Sequence, residues 1–227
     1  MTATQSPPGS VALARGGAGP LVGLLDYGMG NGRSVEKALE HVGARALRSS
    51  DPAELSAAAG LIVPGVGAFP QAMRNLAERG LDQLIRERVA VGVPVLGICL
   101  GMQLAFERSS ELGGAEGLGI VPGIVRELRS GDGKLPHIGW NEVTFERESP
   151  LLDDLPQRCA FYHVHSFVAE VAEAGDVLGT AEYGERFATA VAHGSFHGVQ
   201  FHPEKSSLHG LRLLASFTAI CARAVAA

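Results

Sequence analysis

Cysteine is scarce in this chain, and the few it has stand alone. Cys99, Cys159 and Cys221 are the three in 227 residues, and no CxxC pair occurs. An odd, dispersed set offers neither a disulfide framework nor zinc-ribbon spacing, and it fits free thiols in a reducing cytoplasm. Positive charge is short as well. Nineteen Lys and Arg against 24 Asp and Glu leave a net charge of −5. No basic excess is there to neutralise phosphates, which argues against a nucleic-acid partner. The apolar runs fall short of the roughly 18 residues that a bilayer crossing takes, so no membrane is expected. The opening MTATQSPPGSVALARGGAGP lacks the basic start and long apolar stretch of a secretory leader.

What is there is an ordinary apolar content of 46% without a composition break. That predicts one core over residues 21–227, preceded by a flexible Pro/Gly/Ala-rich tail over 1–20. Short apolar runs alternate with helical spacing through the first half. Strands are expected at Leu21–Asp26, Ala44–Arg48, Leu61–Val63 and Val93–Ile98. Helices are expected over Ser34–Val42, from Pro52, over Gln71–Val89 with a break at Gly80, and over Leu100–Arg108. This alternation predicts an α/β domain with a mostly parallel central sheet and helices on both faces. The second half reads as an antiparallel extension. Its β-like runs are Ile124–Leu128, Glu142–Phe145, Phe161–Val168, Val177–Tyr183, Phe187–Ala192 and Phe196–Phe201. An amphipathic helix over Leu208–Val225 closes the chain.

The chemistry concentrates in three places. GICLG at Gly97–Gly101 follows an apolar strand and precedes a helix. That is a nucleophile elbow: the sharp turn leaves no room beside the nucleophile, so glycines flank it, and the helix N-terminus favours a thiolate. GVQFHPE at Gly198–Glu204 places His202 and Glu204 two apart, on one side of an extended chain. The carboxylate would orient the imidazole while its other nitrogen faces the thiol. PGVG at Pro64–Gly67 is a glycine-rich loop able to turn backbone N–H groups toward an oxyanion. Leu100, after the nucleophile, supplies a second donor. Each segment also has a plainer reading alone: a buried structural cysteine, a surface turn or core histidine, an ordinary βα loop. Together they predict a Cys99–His202–Glu204 triad. His163 and His165 form an HxH pair, and a zinc site with Cys99 lacks supporting spacing. His193 and His197 read as flanking a turn at Gly194. GMGNG at Gly28–Gly32 lacks the GKS/T ending and GxGxxG spacing of nucleotide loops. No metal and no cofactor are expected.

These segments together resemble class I, triad-type glutamine amidotransferases, and within them the glutaminase subunits of imidazole glycerol phosphate synthases. The resemblance runs from about Leu21 through the C-terminal helix. GICLGMQ and GVQFHPE are common to several amidotransferases; DYGMGN, PGVGAF, PHIGWN, YHVHSF and HPEKSS are narrower. It implies a three-layer, flavodoxin-like fold, with Cys99, His202 and Glu204 as catalytic residues and the amides of Val66, Gly67 and Leu100 as the oxyanion hole. It implies glutamine contacts at Gly67, Gln103, Glu111, His165, Ser166 and Phe167. It also implies a docked (β/α)8 cyclase subunit that takes ammonia, with Asn31, Trp140 and Lys205 at the interface. Phe167 stands where the family often has tyrosine, and Gly32 where it often has leucine. The competing readings are a glutaminase serving another synthase, a stand-alone γ-glutamyl hydrolase, and a regulatory domain with a relic triad.

Overall fold

A computed structural model describes residues 19–226. The tail expected over 1–20 therefore lies outside the described residues, except for Gly19 and Pro20. Those two already run beside the second strand, where the Arg45 amide donates to Pro20 O at 3.0 Å.

Thirteen strands form one mixed sheet among the described residues. The first half comprises β1 (Leu21–Leu25), β2 (Arg45–Ser49), β3 (Gly60–Val63) and β4 (Val95–Ile98). Its helices are α1 (Gly32–His41), α2 (Pro52–Ser56), α3 (Phe69–Glu78) and α4 (Leu81–Ala90), with α5 (Leu100–Gln103) after β4. The second half comprises β5 (Phe106–Ser109), β6 (Ala115–Glu116), β7 (Val121–Glu127), β8 (His137–Phe145) and β9 (Arg158–His165). It continues with β10 (Phe167–Val171), β11 (Val177–Tyr183), β12 (Glu185–His193), β13 (Phe196–Val199) and the closing helix α6 (Ser207–Ala226). The main order is β2-β1-β3-β4-β13-β12-β10-β7-β5-β6, with β11, β8 and β9 branching from β12. The five strands from β2 to β13 are parallel, and β12 begins the antiparallel extension.

Local chemistry explains the helix boundaries. The Asp51 side chain accepts from the Ala53 amide at 2.8 Å, capping α2, with Pro52 at its first position. The expected break between α3 and α4 falls at Gly80, whose φ of +66° is left-handed. One apolar cluster joins α1 and α6 to one sheet face, through Val35, Leu39, Leu213, Leu214 and Phe217. A second joins α2 to α5 to the other, through Leu55, Phe69, Leu76, Ile85 and Met102. These are the three layers. α6 is long and apolar enough to cross a membrane by length and composition, yet Leu213, Leu214, Phe217 and Cys221 bury its apolar side in the core.

Three expectations are corrected. The run Phe196–Phe201, read with the antiparallel extension, ends as a strand at Val199 and runs parallel to β4, so only its β12 side is antiparallel. The helix read over Leu100–Arg108 stops at Gln103, and Phe106–Ser109 is a strand paired with β7. The carbonyls of Leu104, Ala105 and Phe106 accept from Leu118, Ile120 and Gly119 at 2.8–3.1 Å, so tertiary pairing overrides the local helical pattern. The run Phe161–Val168 is two strands, not one. It bends at Ser166, with β9 pairing β8 and β10 pairing β7 and β12.

Candidate active site

Sheet order brings the site together. β4 lies between β3 and β13, all parallel, so the segments leaving their carboxyl ends are neighbours at one edge. β3 delivers the PGVG loop, β4 delivers Cys99, and β13 delivers His202. The Cys99 amide donates to Val199 O at 2.7 Å, which fixes the level of one motif against the other. This edge is where open α/β sheets bind ligands.

The elbow is tightly built. Cys99 has φ +53°, a conformation that L-residues rarely adopt. A Cβ on Gly97 would fall 2.5 Å from Gly101 O, and one on Gly101 would fall 1.8 Å from Val63 O. The strain at Cys99 lifts its side chain out of the turn and toward β9, where the thiol lies 3.7 Å from Val164 O. Leu100 opens α5, so its amide has no intrahelical acceptor and stays free for an oxyanion.

His202 and Glu204 meet as their spacing predicts. The imidazole Nδ1–H donates to Glu204 Oε1 at 2.9 Å, with both side chains almost wholly buried. That fixes the tautomer and leaves Nε2 as the nitrogen for the thiol. Nε2 is buried and has no hydrogen-bond partner among the described residues, which leaves it open to a proton. Burial alone would lower the pKa of His202. The hydrogen bonding and charge of Cys99 and Glu204 outweigh it and raise the pKa from 6.5 to about 9. The imidazole is therefore a ready acceptor for a proton from the sulfur.

Val66, Gly67, Cys99, Leu100, Gln103, Glu111, Pro136, Val164, His165, Ser166 and Phe167 line one cleft of about 210 Å³. It gathers every residue expected to hold an oxyanion or glutamine. Glu111 reaches it by capping α3, where Oε2 accepts from the Phe69 amide at 2.7 Å. A larger groove of about 510 Å³ runs along residues 145–157 and holds none of the triad.

The expected interface residues make different contacts. Trp140 is 56% exposed on β8, edge-on to Tyr162 at 6.2 Å between ring centres, and the Lys205 ammonium lies 6.0 Å from that ring. Asn31 instead reaches the triad, and its side-chain N–H donates to Glu204 Oε1. Tyr162, Ser206 and Gln200 were not singled out by sequence. Ser206 Oγ donates to His202 O at 2.6 Å and accepts from the Tyr162 amide at 2.9 Å. It ties the HPE turn to the exposed strand pair. Nothing in one sequence marks it, because its partners lie four and 44 residues away.

The ring nitrogens of the HxH pair are taken by protein partners, and His165 also lines the cleft. His163 Nδ1 bonds Phe161 O at 3.1 Å and Nε2 bonds Thr189 Oγ1 at 2.8 Å. His165 Nδ1 bonds Phe167 O and its Nε2 bonds His137 Nδ1, each at 3.0 Å. Burial, then neighbouring histidines, lowers both pKa values to about 3. These are neutral, hydrogen-bonded core histidines. His193 and His197 end β12 and lie in β13, on either side of the turn at Gly194.

A thiol at an elbow, a carboxylate-oriented histidine just past the adjacent strand, and a glycine loop on the other side are the parts that cysteine acyl transfer takes. The chain belongs to the class-I glutamine amidotransferase family, whose model matches residues 23–220. Within that family it is similar to the imidazole glycerol phosphate synthase subunit HisH of Moorella thermoacetica. The two are 49% identical over 196 residues, 86% of this chain and 93% of the relative. It is 46% identical to the Bacillus subtilis subunit of the same name over 207 residues, 89% of this chain and 97% of the relative. Among solved structures, PurLQS from Thermotoga maritima superposes with a TM-score of 0.72 at 18% identity, covering 89% of this chain and 99% of that one. A glutamine amidotransferase gives 0.69 at 23%, covering 88% and 98%. Both show the same fold.

Proposed function

We infer that this chain is the glutaminase subunit of an imidazole glycerol phosphate synthase, feeding ammonia to a separate cyclase in histidine biosynthesis. The observation that carries the chemistry is the placement of Cys99 and His202 at the ends of adjacent parallel strands, with Glu204 holding the far side of the imidazole. His202 Nε2 takes the thiol proton, and the thiolate attacks the side-chain amide carbon of glutamine. The amides of Leu100 and Val66–Gly67 receive the oxyanion, each such donor being worth about 3 kcal/mol. His202 then protonates the departing nitrogen, and ammonia leaves a γ-glutamyl thioester on Cys99. Water, deprotonated by His202, attacks the thioester and releases glutamate. Gln103, Glu111, His165, Ser166 and Phe167 line the cleft where the amino-acid end of glutamine would sit.

The docking reading rests on a different face. Ile138 and Trp140 alternate on β8 at 60% and 56% exposure, beside Lys205. Large exposed apolar side chains next to a catalytic turn suit a partner that covers the site. The family resemblance supports reading that partner as a (β/α)8 cyclase, with ammonia passing to it without meeting bulk water. The buried free thiols of Cys99, Cys159 and Cys221 suit the cytoplasm. The test is Cys99→Ala in the assembled synthase. Glutamine-dependent synthesis should vanish while ammonia-dependent synthesis persists; a variant still hydrolysing glutamine at more than a trace would overturn the assignment. His202→Ala should behave alike, and Glu204→Ala should lose less.

A further inference from the structure

Gln200 is the third residue of GVQFHPE and is completely buried. Its backbone belongs to the β13 end, where its amide donates to Thr189 O at 2.8 Å. Its side-chain Nε2 lies 3.6 Å from Cys99 Sγ. Its Oε1 accepts from Gln103 Nε2 at 3.0 Å, and the same Gln103 nitrogen donates to Phe167 O at 3.0 Å.

This chain of contacts has only one consistent polarity. A backbone carbonyl only accepts, so Phe167 O requires the amino group of Gln103. The second hydrogen of that amino group then requires the oxygen of Gln200. Turning the Gln200 carboxamide over would set amino group against amino group. Its own N–H is therefore aimed at the sulfur. On the other contact, Sγ lies 3.7 Å from Val164 O, which only accepts. In the neutral thiol the S–H serves Val164 O. When the proton moves from Sγ to His202 Nε2, that contact is lost and the Gln200 contact becomes charge-assisted.

We propose that Gln200 is a hydrogen-bond donor to the nucleophile, stabilising the Cys99 thiolate both when it attacks and when it leaves the thioester. It rests on Cys99 being the nucleophile. Because the polarity starts at Phe167 O, glutamine seated at His165–Phe167 acts on the same network that holds the sulfur.

The experiment measures alkylation of Cys99 by iodoacetamide from mildly acidic to mildly alkaline pH, followed by peptide mass spectrometry. Cys159 and Cys221 are raised by burial to about 11 and about 12, so they stay quiet. Gln200→Met keeps length and removes the donor; Gln200→Asn keeps the donor and withdraws it by one methylene. A hydrogen bond to a charged group contributes on the order of 1.5–3 kcal/mol. Both variants should therefore alkylate about ten- to a hundredfold more slowly at neutral pH, with the profile moved to higher pH. In the assembled synthase, kcat should fall by a similar factor while KM for glutamine changes less than about twofold. An unmoved alkylation profile in whichever variant melts like the parent overturns the proposal. So does a rise in KM alone, which would mean that Gln200 acts only by holding Gln103. Loss of the Cys99 reading itself would show separately, as glutaminase activity surviving Cys99→Ala.

Discussion

Buried neutral histidines dominate the pH behaviour expected of single residues. Burial pushes His163 and His165 down to about 3 and His197 down to about 4. Between those values and 6.5 the unfolded chain binds more protons than the folded one, so stability falls as pH drops. Each histidine contributes about 1.4 kcal/mol per pH unit, and three together about 4. His202 acts with the opposite sign. Raised to about 9, it stabilises the fold below 6.5, and that contribution is lost as pH rises from 6.5 through 9. Urea melts of the isolated chain should peak between these limits and lose several kcal/mol by about pH 5.5; a flat profile from about pH 7 to 5 would contradict the burial account. The HxH face was legible in YHVHSF by period-two spacing. His137 was not, because only the β8–β9 register sets it opposite His165. Gln200 stood inside a motif read for His202 and Glu204, since a glutamine at a strand end carries no local sign of what its side chain touches.

At the scale of elements, the elbow was legible because its glycines obey a hard steric rule. A Cβ on Gly101 would meet the Val63 carbonyl, which belongs to a core strand and has nowhere to go. Gly101→Ala should therefore destabilise by more than about 3 kcal/mol and spoil activity. Gly92, at φ +81° with open space around it, is the control. Gly92→Ala should cost only the left-handed penalty of about 1–2 kcal/mol and leave activity intact. Equal melting temperatures for the two variants would refute the packing argument. The helix expected beyond Gln103 failed for a different reason. Leu104 to Phe106 are apolar and helix-compatible, and nothing within ten residues shows that the chain near Leu118–Val121 returns to bond them. The division of Phe161–Val168 was hidden likewise, because Ser166 bends the chain only where β10 changes partners.

For the whole molecule, the parallel order of β1 to β4 followed from alternation, but the place of β13 did not: its run reads with the antiparallel extension, and pairing with β4 sets it parallel. The branching of β8, β9 and β11 did not follow either, since antiparallel order depends on pairings far apart in sequence. That branch carries the exposed Trp140 and sets β9 across the thiol. The His202 amide donates to Tyr162 O at 2.9 Å, and the Tyr162 ring meets Trp140, so a partner seated on Trp140 lies two contacts from His202. A buried interfacial tryptophan often carries 2 kcal/mol or more. The Trp140→Ala/Lys205→Ala double variant should bind the cyclase subunit about thirtyfold more weakly by calorimetry, with an unchanged melting temperature. Parental affinity would remove this face from the interface.

Coupling of a Cys99–His202–Glu204 glutaminase to a separate synthase is a property of rates. It is tested most directly by the rate of glutamate release from glutamine, measured for the chain alone and with the cyclase subunit and its ribonucleotide substrate. The chain alone should be slow, and the rate should rise at least about tenfold in the complex, from settling one oxyanion donor. Equal rates in the two conditions would contradict it.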